Sequence, residues 1–195
     1  MKPLLAALMV LTLAACVAPV GPVEVTRFHV PELATRGRES IAIEPAVGQD
    51  GNSLEFGTYA SAVSRQLNLL GFNAQATSAN SPQVAILRIE RHVWRADRAH
   101  GPVSVGLGGS TGSYGSGMGV GIGLDLSGPP PEMVETLLGV TIKDRANGKV
   151  LWEGKATFAV RATSPLASTQ IGAAKLAEAL FKGFPGSSGE TIKVP

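Results

Sequence analysis

Residues 101–128 hold 11 of the 24 glycines in this 195-residue chain. Within that tract Gly119-Val120-Gly121-Ile122-Gly123-Leu124-Asp125-Leu126 alternates glycine with large aliphatic residues. A repeat of two is the repeat of a β-strand, and each glycine in a helix interior costs about 1 kcal/mol relative to alanine. The tract therefore reads as strand with one face bare of side chains, a surface that another backbone or sheet can approach closely. Residues 110–117 carry too little apolar mass to pack and are expected to form a mobile loop tip.

On either side, strand and helix signals follow one another. Residues 23–30 are β-branched and partly alternating up to Pro31, and residues 40–44 make a second short run before Pro45. After the Gly48-Gln49-Asp50-Gly51 turn, Asn52 and Glu55 stand at capping-box spacing. Leu54, Tyr59, Val63, Leu67 and Leu70 then mark one helical stripe. Gly71 supplies a left-handed stop, with Phe72 placed to fold back as a Schellman partner. Residues 83–94 form a strand with Ala85, Leu87, Ile89 and Val93 on one face and Arg88, Glu90 and His92 on the other. Residues 134–144 and 149–161 make a hairpin about Asn147-Gly148, and Trp152 and Phe158 share its core-facing side. A last helix is expected from Ser164-Pro165, a cap followed by an N1 proline. It turns Ile171, Ala174 or Lys175, Leu176 with Leu180, and Phe181 inward, and stops at Gly183. Residues 187–195 read as a loose tail. This order predicts one α+β domain over residues 23–186: an antiparallel sheet with two helices packed on one face and a long Gly-rich hairpin or loop insertion at 101–128.

The amino terminus reads as an address. After Lys2, residues 3–15 run uncharged for about 20 Å as a helix, short of the roughly 30 Å hydrocarbon core of a bilayer. The run is read as a secretory leader, residues 1–15. Leu13-Ala14-Ala15-Cys16 looks like the bacterial lipobox, which places cleavage between Ala15 and Cys16 and diacylglycerol on the Cys16 thiol. Two or three acyl chains anchor stably where one holds marginally. Val17 follows the cysteine in place of an aspartate that resembles an inner-membrane retention signal, so outer-membrane sorting is expected. Residues 16–22 then form a lipidated, Pro-rich tether reaching about 20 Å. As the single cysteine of the chain, Cys16 also excludes a disulfide scaffold and a multi-thiolate zinc site.

With these elements the chain resembles the bacterial envelope lipoproteins grouped as domain of unknown function 4136. The resemblance rests on the lipobox, a helix ending in Leu70-Gly71-Phe72, a strand entered through Ser81-Pro82-Gln83-Val84, and a Gly-rich interruption. It rests further on the Val-Thr-Ile-Lys-Asp…Gly-Lys-Val-Leu-Trp-Glu-Gly-Lys-Ala hairpin between Val140 and Ala156, closed by a helix and Phe184-Pro185-Gly186. It implies location and fold and no chemistry.

Other motifs set bounds on function. Gly108-Gly109-Ser110-Thr111-Gly112 fits a nucleophile-elbow string, but more glycine follows Ser110 and none of His29, His92 and His100 lies after it. No dinucleotide or phosphate-loop fingerprint is present, and His92 and His100 with Asp97 fit no common metal spacing, so no cofactor is expected. With 17 Lys and Arg against 15 Asp and Glu, bulk charge does not support nucleic-acid binding. Arg91, Trp94, Arg95 and Arg98 form a local basic concentration that could meet anionic partners, since guanidinium forks match phosphates and carboxylates. The expectation is a non-catalytic, lipid-anchored, periplasm-facing protein of the outer membrane. It binds or scaffolds an envelope protein, or peptidoglycan or lipid. A hydrolase using Ser110 and a membrane-associated assembly factor using the Gly-rich hairpin stand as alternatives.

Overall fold

The computed structural model describes residues 21–34, 38–75, 80–95, 103–112, 115–124 and 130–195. Strands β1 (Val23–His29) and β2 (Ser40–Pro45) precede helix α1 (Leu54–Leu69), which leads into the short β3 (Asn73–Gln75) and the long β4 (Gln83–Arg95). Strands β5 (Val103–Gly112) and β6 (Gly115–Leu124) follow, then β7 (Glu132–Asp144), β8 (Val150–Arg161), α2 (Thr169–Phe181) and β9 (Thr191–Val194). Seven strands form one sheet in the order β3-β2-β4-β7-β8-β1-β9. The fold is α+β, as expected, but the sheet is mixed: β2 runs parallel to both β3 and β4, and the other neighbours are antiparallel. The parallel pairing follows from α1, which carries the chain from β2 back to β3 alongside it.

Both helices pack on one face of the sheet over a single core. Tyr59, Val63 and Leu67 of α1 and Leu176, Ala177 and Leu180 of α2 meet Leu87, Leu138, Ile142, Trp152 and Phe158 of the sheet. The end of α1 follows the Schellman pattern: Gly71 has φ +90°, Phe72 N donates to Leu67 O at 3.0 Å, and Phe72 is buried.

Several local expectations are corrected. The cap of α1 is Ser53, whose hydroxyl accepts from Phe56 N, and not Asn52. Leu54 is 92% exposed, because the buried arc runs through Phe56, Tyr59, Ala60 and Val63. Ser164-Pro165 opens a short 3₁₀ turn (Pro165–Ala167), and α2 begins only after Ser168. Ile171 points outward, and Gly172 and Ala173 take the buried side of α2. There a Cβ on Gly172 would lie 2.7 Å from Leu166 O and 3.2 Å from Phe158 Cζ, so small residues win that face. Residues 187–195 contain β9, which pairs with β1 from Val23↔Val194 to Thr26↔Thr191. The tract read as a mobile tip at 110–117 is mostly paired strand, with the ladder running to Gly112↔Gly115.

Strands β5 and β6 form a separate two-stranded ribbon. Their register sets Val103, Val105 and Leu107 opposite Leu124, Ile122 and Val120. On the alternate rungs Ser104, Gly106, Gly108, Ser110 and Gly112 face Gly123, Gly121, Gly119, Gly117 and Gly115. In an antiparallel pair, residues directly opposite share a face. By sequence, three of these rungs pair aliphatic residues and the alternate rungs pair Gly with Gly or Ser.

Candidate functional site

Strand β4 outlasts its neighbour β2, while β8 stays paired with β7 as far as Met133↔Arg161. Neighbour β2 follows β4 only as far as Pro45↔Leu87, whereas the β4–β7 ladder continues to Arg95↔Glu132. Past β2, the side chain of Gln49 takes over as acceptor for Ile89 N at 3.2 Å. Residues 90–95 of β4 are exposed, and the chain leaves this arm of β4 and β7, still flanked by β8, at Arg95 and rejoins it at Glu132.

The arm does not gather the basic residues into one patch. Arg91 and Arg95 lie on the helix-side face of β4 and Trp94 on the opposite one, because neighbours in a strand alternate. Arg91 donates to Ala167 O at 2.7 Å, tying the arm to the turn before α2, and Arg88 pairs with Glu90 at 3.4 Å on the other face. Cys16, with the leader and Ala15, and Arg98, Asp97 and His100 lie outside the described residues. Ser110 sits within β5 opposite Gly117, and β6 follows it. The strand-to-helix turn that an elbow serine needs is not there. Among the described residues no group of three His, Cys, Asp or Glu side chains could hold a metal ion.

Two clefts flank the core. One, of about 310 Å³, lies between the start of α1 and the arm and is lined by Asp50, Ser53, Glu55, Ile89 and Arg91. Beneath it the Tyr59 phenol is pushed up to about 12 by burial and by Glu55, with Arg91 opposing the shift. The other, of about 470 Å³, is lined by Arg27, Lys182, Gly186 and Glu190 among others. Arg27 is 4% exposed and was not apparent as a special residue in the sequence. Its Nε donates to Leu180 O at 2.9 Å and its Nη2 to Ala179 O at 3.0 Å, so the guanidinium satisfies carbonyls at the carboxyl end of α2. Burial lowers its pKa and Glu190 raises it. The guanidinium groups of both clefts, Arg27 and Arg91, are thus engaged in holding backbone.

Three sequence motifs meet in an aromatic corner at the carboxyl end of α2. The Trp152 ring stacks on Phe181 with centroids 5.3 Å apart and lies 5.3 Å from Phe184, which meets Phe72 edge-on at 6.1 Å. Trp152 Nε1 donates to Pro185 O at 3.1 Å across the cis Phe184–Pro185 segment. Arg38 covers the corner, its guanidinium carbon 5.3 Å from the centres of both Phe72 and Phe184. Gly154 leaves room for all this: a Cβ there would collide with the Trp152 ring and lie 2.8 Å from Leu180 Cδ1. Leu-Gly-Phe, Trp-Glu-Gly and Phe-Pro-Gly are therefore three strands of one packing solution, with no reactive group among them.

Residues 33–186 match the family described as domain of unknown function, DUF4136. The chain belongs to the DUF4136 family. A curated relative, an uncharacterized protein of Zymomonas mobilis, is 28% identical over 214 residues, covering 89% of this chain and 80% of the relative. Among solved structures, the DUF4136 chain is similar to a PDZ domain protein from Parabacteroides distasonis (TM-score 0.48, 12% identity), covering 98% of this chain and 42% of that one. It is also similar to PelC of Paraburkholderia phytofirmans, solved as a dodecamer (TM-score 0.39, 14% identity), covering 80% of this chain and 95% of that one.

Proposed function

We propose that this DUF4136 protein is a non-catalytic, lipid-anchored component of the bacterial outer membrane, facing the periplasm, that binds or scaffolds other envelope components. The observation that carries the reading is Leu13-Ala14-Ala15-Cys16, the only cysteine of the chain, placed behind Lys2 and an uncharged run too short to span a bilayer. The strand setting of Ser110, with β6 and no helix after it, supports a non-catalytic reading. Growth on labelled palmitate tests the anchor. Label in the wild-type chain that disappears in Cys16→Ser supports the proposal, and label that survives the substitution overturns it. In-cell crosslinking read by mass spectrometry identifies the partner.

A further inference from the structure

We propose that the cleft between β1, β9 and the end of α2 binds a ligand carrying a carboxylate and an ammonium close together. That is the head group of a free amino acid, or of an uncrosslinked amino-acid residue in peptidoglycan. The inference supplies a ligand for the binding role proposed above and rests on that reading only for its envelope setting.

The edge of the sheet lays out the floor of the cleft. Val25 stands opposite Ile192 and Thr26 opposite Thr191, so Arg27 and Glu190 follow where the ladder ends. Opposed residues of an antiparallel pair share a face, and successive residues alternate. Val25, Ile192, Arg27 and Glu190 therefore lie on the helix side, and all four line the cleft. Helix α2 ends at Phe181, and past it Lys182 and Gly186 complete the wall. The volume of about 470 Å³ falls in the range of small-molecule sites, about 300–1,000 Å³.

The cations of the cleft are not used up by the fold. Arg27 is held through Nε and Nη2 on the Leu180 and Ala179 carbonyls. Its Nη1 donates to no group among the described residues and is not sealed from solvent. A Cβ on Gly186 would lie 2.8 Å from that Nη1, so a glycine at φ +84° keeps the approach open. A guanidinium fixed at two nitrogens presents its third as a rigid, charge-assisted donor to a carboxylate. Lys182 is exposed and unpaired among the described residues, and adds a second cation. The facing loop is also fixed in advance. Trp152 Nε1 donates to Pro185 O at 3.1 Å, His29 Nε2 lies 3.1 Å from Gly186 O, and Gly189 N donates to Arg27 O at 2.7 Å. A preformed wall removes ordering cost from binding.

The pattern of signs selects the ligand. Glu190 is near enough to raise the Arg27 pKa, and with the carbonyl end of α2 it repels a bare dianion such as phosphate. A carboxylate on Arg27 Nη1 and Lys182, with an ammonium toward Glu190, answers all three charges.

The test uses the full-length chain in dodecyl maltoside micelles, labelled with nitrogen-15 and titrated with meso-diaminopimelate, which bears two such head groups. The chain has two tryptophans. The Trp152 indole N–H, bonded to the cleft-lining Pro185, reports on the cleft, and that of Trp94 on β4 serves as reference. Saturable movement of the Trp152 resonance alone is expected. The diacetylated compound (carboxylates only), the dimethyl ester (ammoniums only) and inorganic phosphate should each bind at least about tenfold more weakly. Lys182→Gln should weaken diaminopimelate binding about threefold. Glu190→Gln should weaken it similarly while tightening the diacetylated form, a crossover that general loss of structure cannot give. Co-sedimentation with peptidoglycan sacculi that free diaminopimelate competes away supports a wall-borne head group, and binding of the free compound without sedimentation supports a soluble one. A Trp152 resonance unmoved at about 20 mM ligand, phosphate binding as tightly as diaminopimelate, or unchanged affinity in both variants overturns the inference. Binding is read whether or not Cys16 carries lipid, so failure here and failure of the palmitate experiment are separate results.

Discussion

The aromatic corner and the glycine ribbon are built on opposite principles. In the corner, residues distant in sequence (Phe72, Trp152, Phe181 and Phe184) converge, and each ring touches at least one other. Arg38 and the Pro185 carbonyl fix what the rings leave free. In the ribbon, β5 and β6 pair with each other and with no other strand. Two strands alone are marginal in water, and glycine makes them more so. The corner is filled by contacts from four separate parts of the chain, whereas the ribbon is a two-stranded sheet with two outer edges. The motifs Leu70-Gly71-Phe72, Trp152-Glu153-Gly154 and Phe184-Pro185-Gly186 thus mark where the domain closes on itself.

That contrast can be broken or sharpened by mutation. Trp152→Ala is expected to cost about 3–5 kcal/mol in urea unfolding, since it empties a fully buried site and strands the Pro185 carbonyl. Gly154→Ala should cost about 1–3 kcal/mol by forcing the indole off its position, with loss of near-ultraviolet circular dichroism as the second readout. Tyr59 provides a pH signature within the core. Its folded pKa lies near 12, above the ordinary value of 10, so its contribution is whole below pH 10 and is lost as pH rises through 12. Tyr59→Phe should flatten the fall in stability over that interval. Gln83→Leu is expected to be neutral or to stabilise by up to about 1 kcal/mol, because Gln83 Oε1 is buried without a hydrogen-bond partner. The smallest effect belongs to the ribbon: replacing residues 103–124 with a short Gly-Ser linker should move the stability of the sheet by no more than about 0.5 kcal/mol. A loss as large as that of Trp152→Ala would show that the ribbon belongs to the core and would end the comparison.

What could be read from the chain follows the same division. Period-2 and period-3.6 patterns with Gly and Pro punctuation located β1, β2, β4, β7, β8 and both helices, because each buries one face against a continuous core. The end of α1 was legible from Gly71-Phe72 alone. Cross-chain relations were not: nothing local marks β2 as parallel to β4, or Arg27 as the group that closes α2 from 152 residues away. The inward face of α2 was misread because apolar size, led by Ile171, suggested burial, whereas the tight approach of Phe158 and Leu166 selects Gly172 and Ala173. In the tract, Val103-Ser104-Val105-Gly106-Leu107-Gly108 alternates as clearly as its partner strand. The density of glycine around Ser110 concealed that the two runs are in register.

The pairing of Val23 with Val194 has a practical side. The first and last strands are neighbours, so the carboxyl end of the chain emerges beside the residues that lead off toward Cys16. A detection tag placed after Pro195 would share that exit, and on the proposed anchoring it would be crowded against the membrane surface. The Asn147-Gly148 hairpin, at the far end of β7 and β8, offers a roomier position for a label. Joining the two ends with a few residues and reopening the chain at that hairpin would yield a permuted protein with the same sheet, free to be attached to a support the other way up.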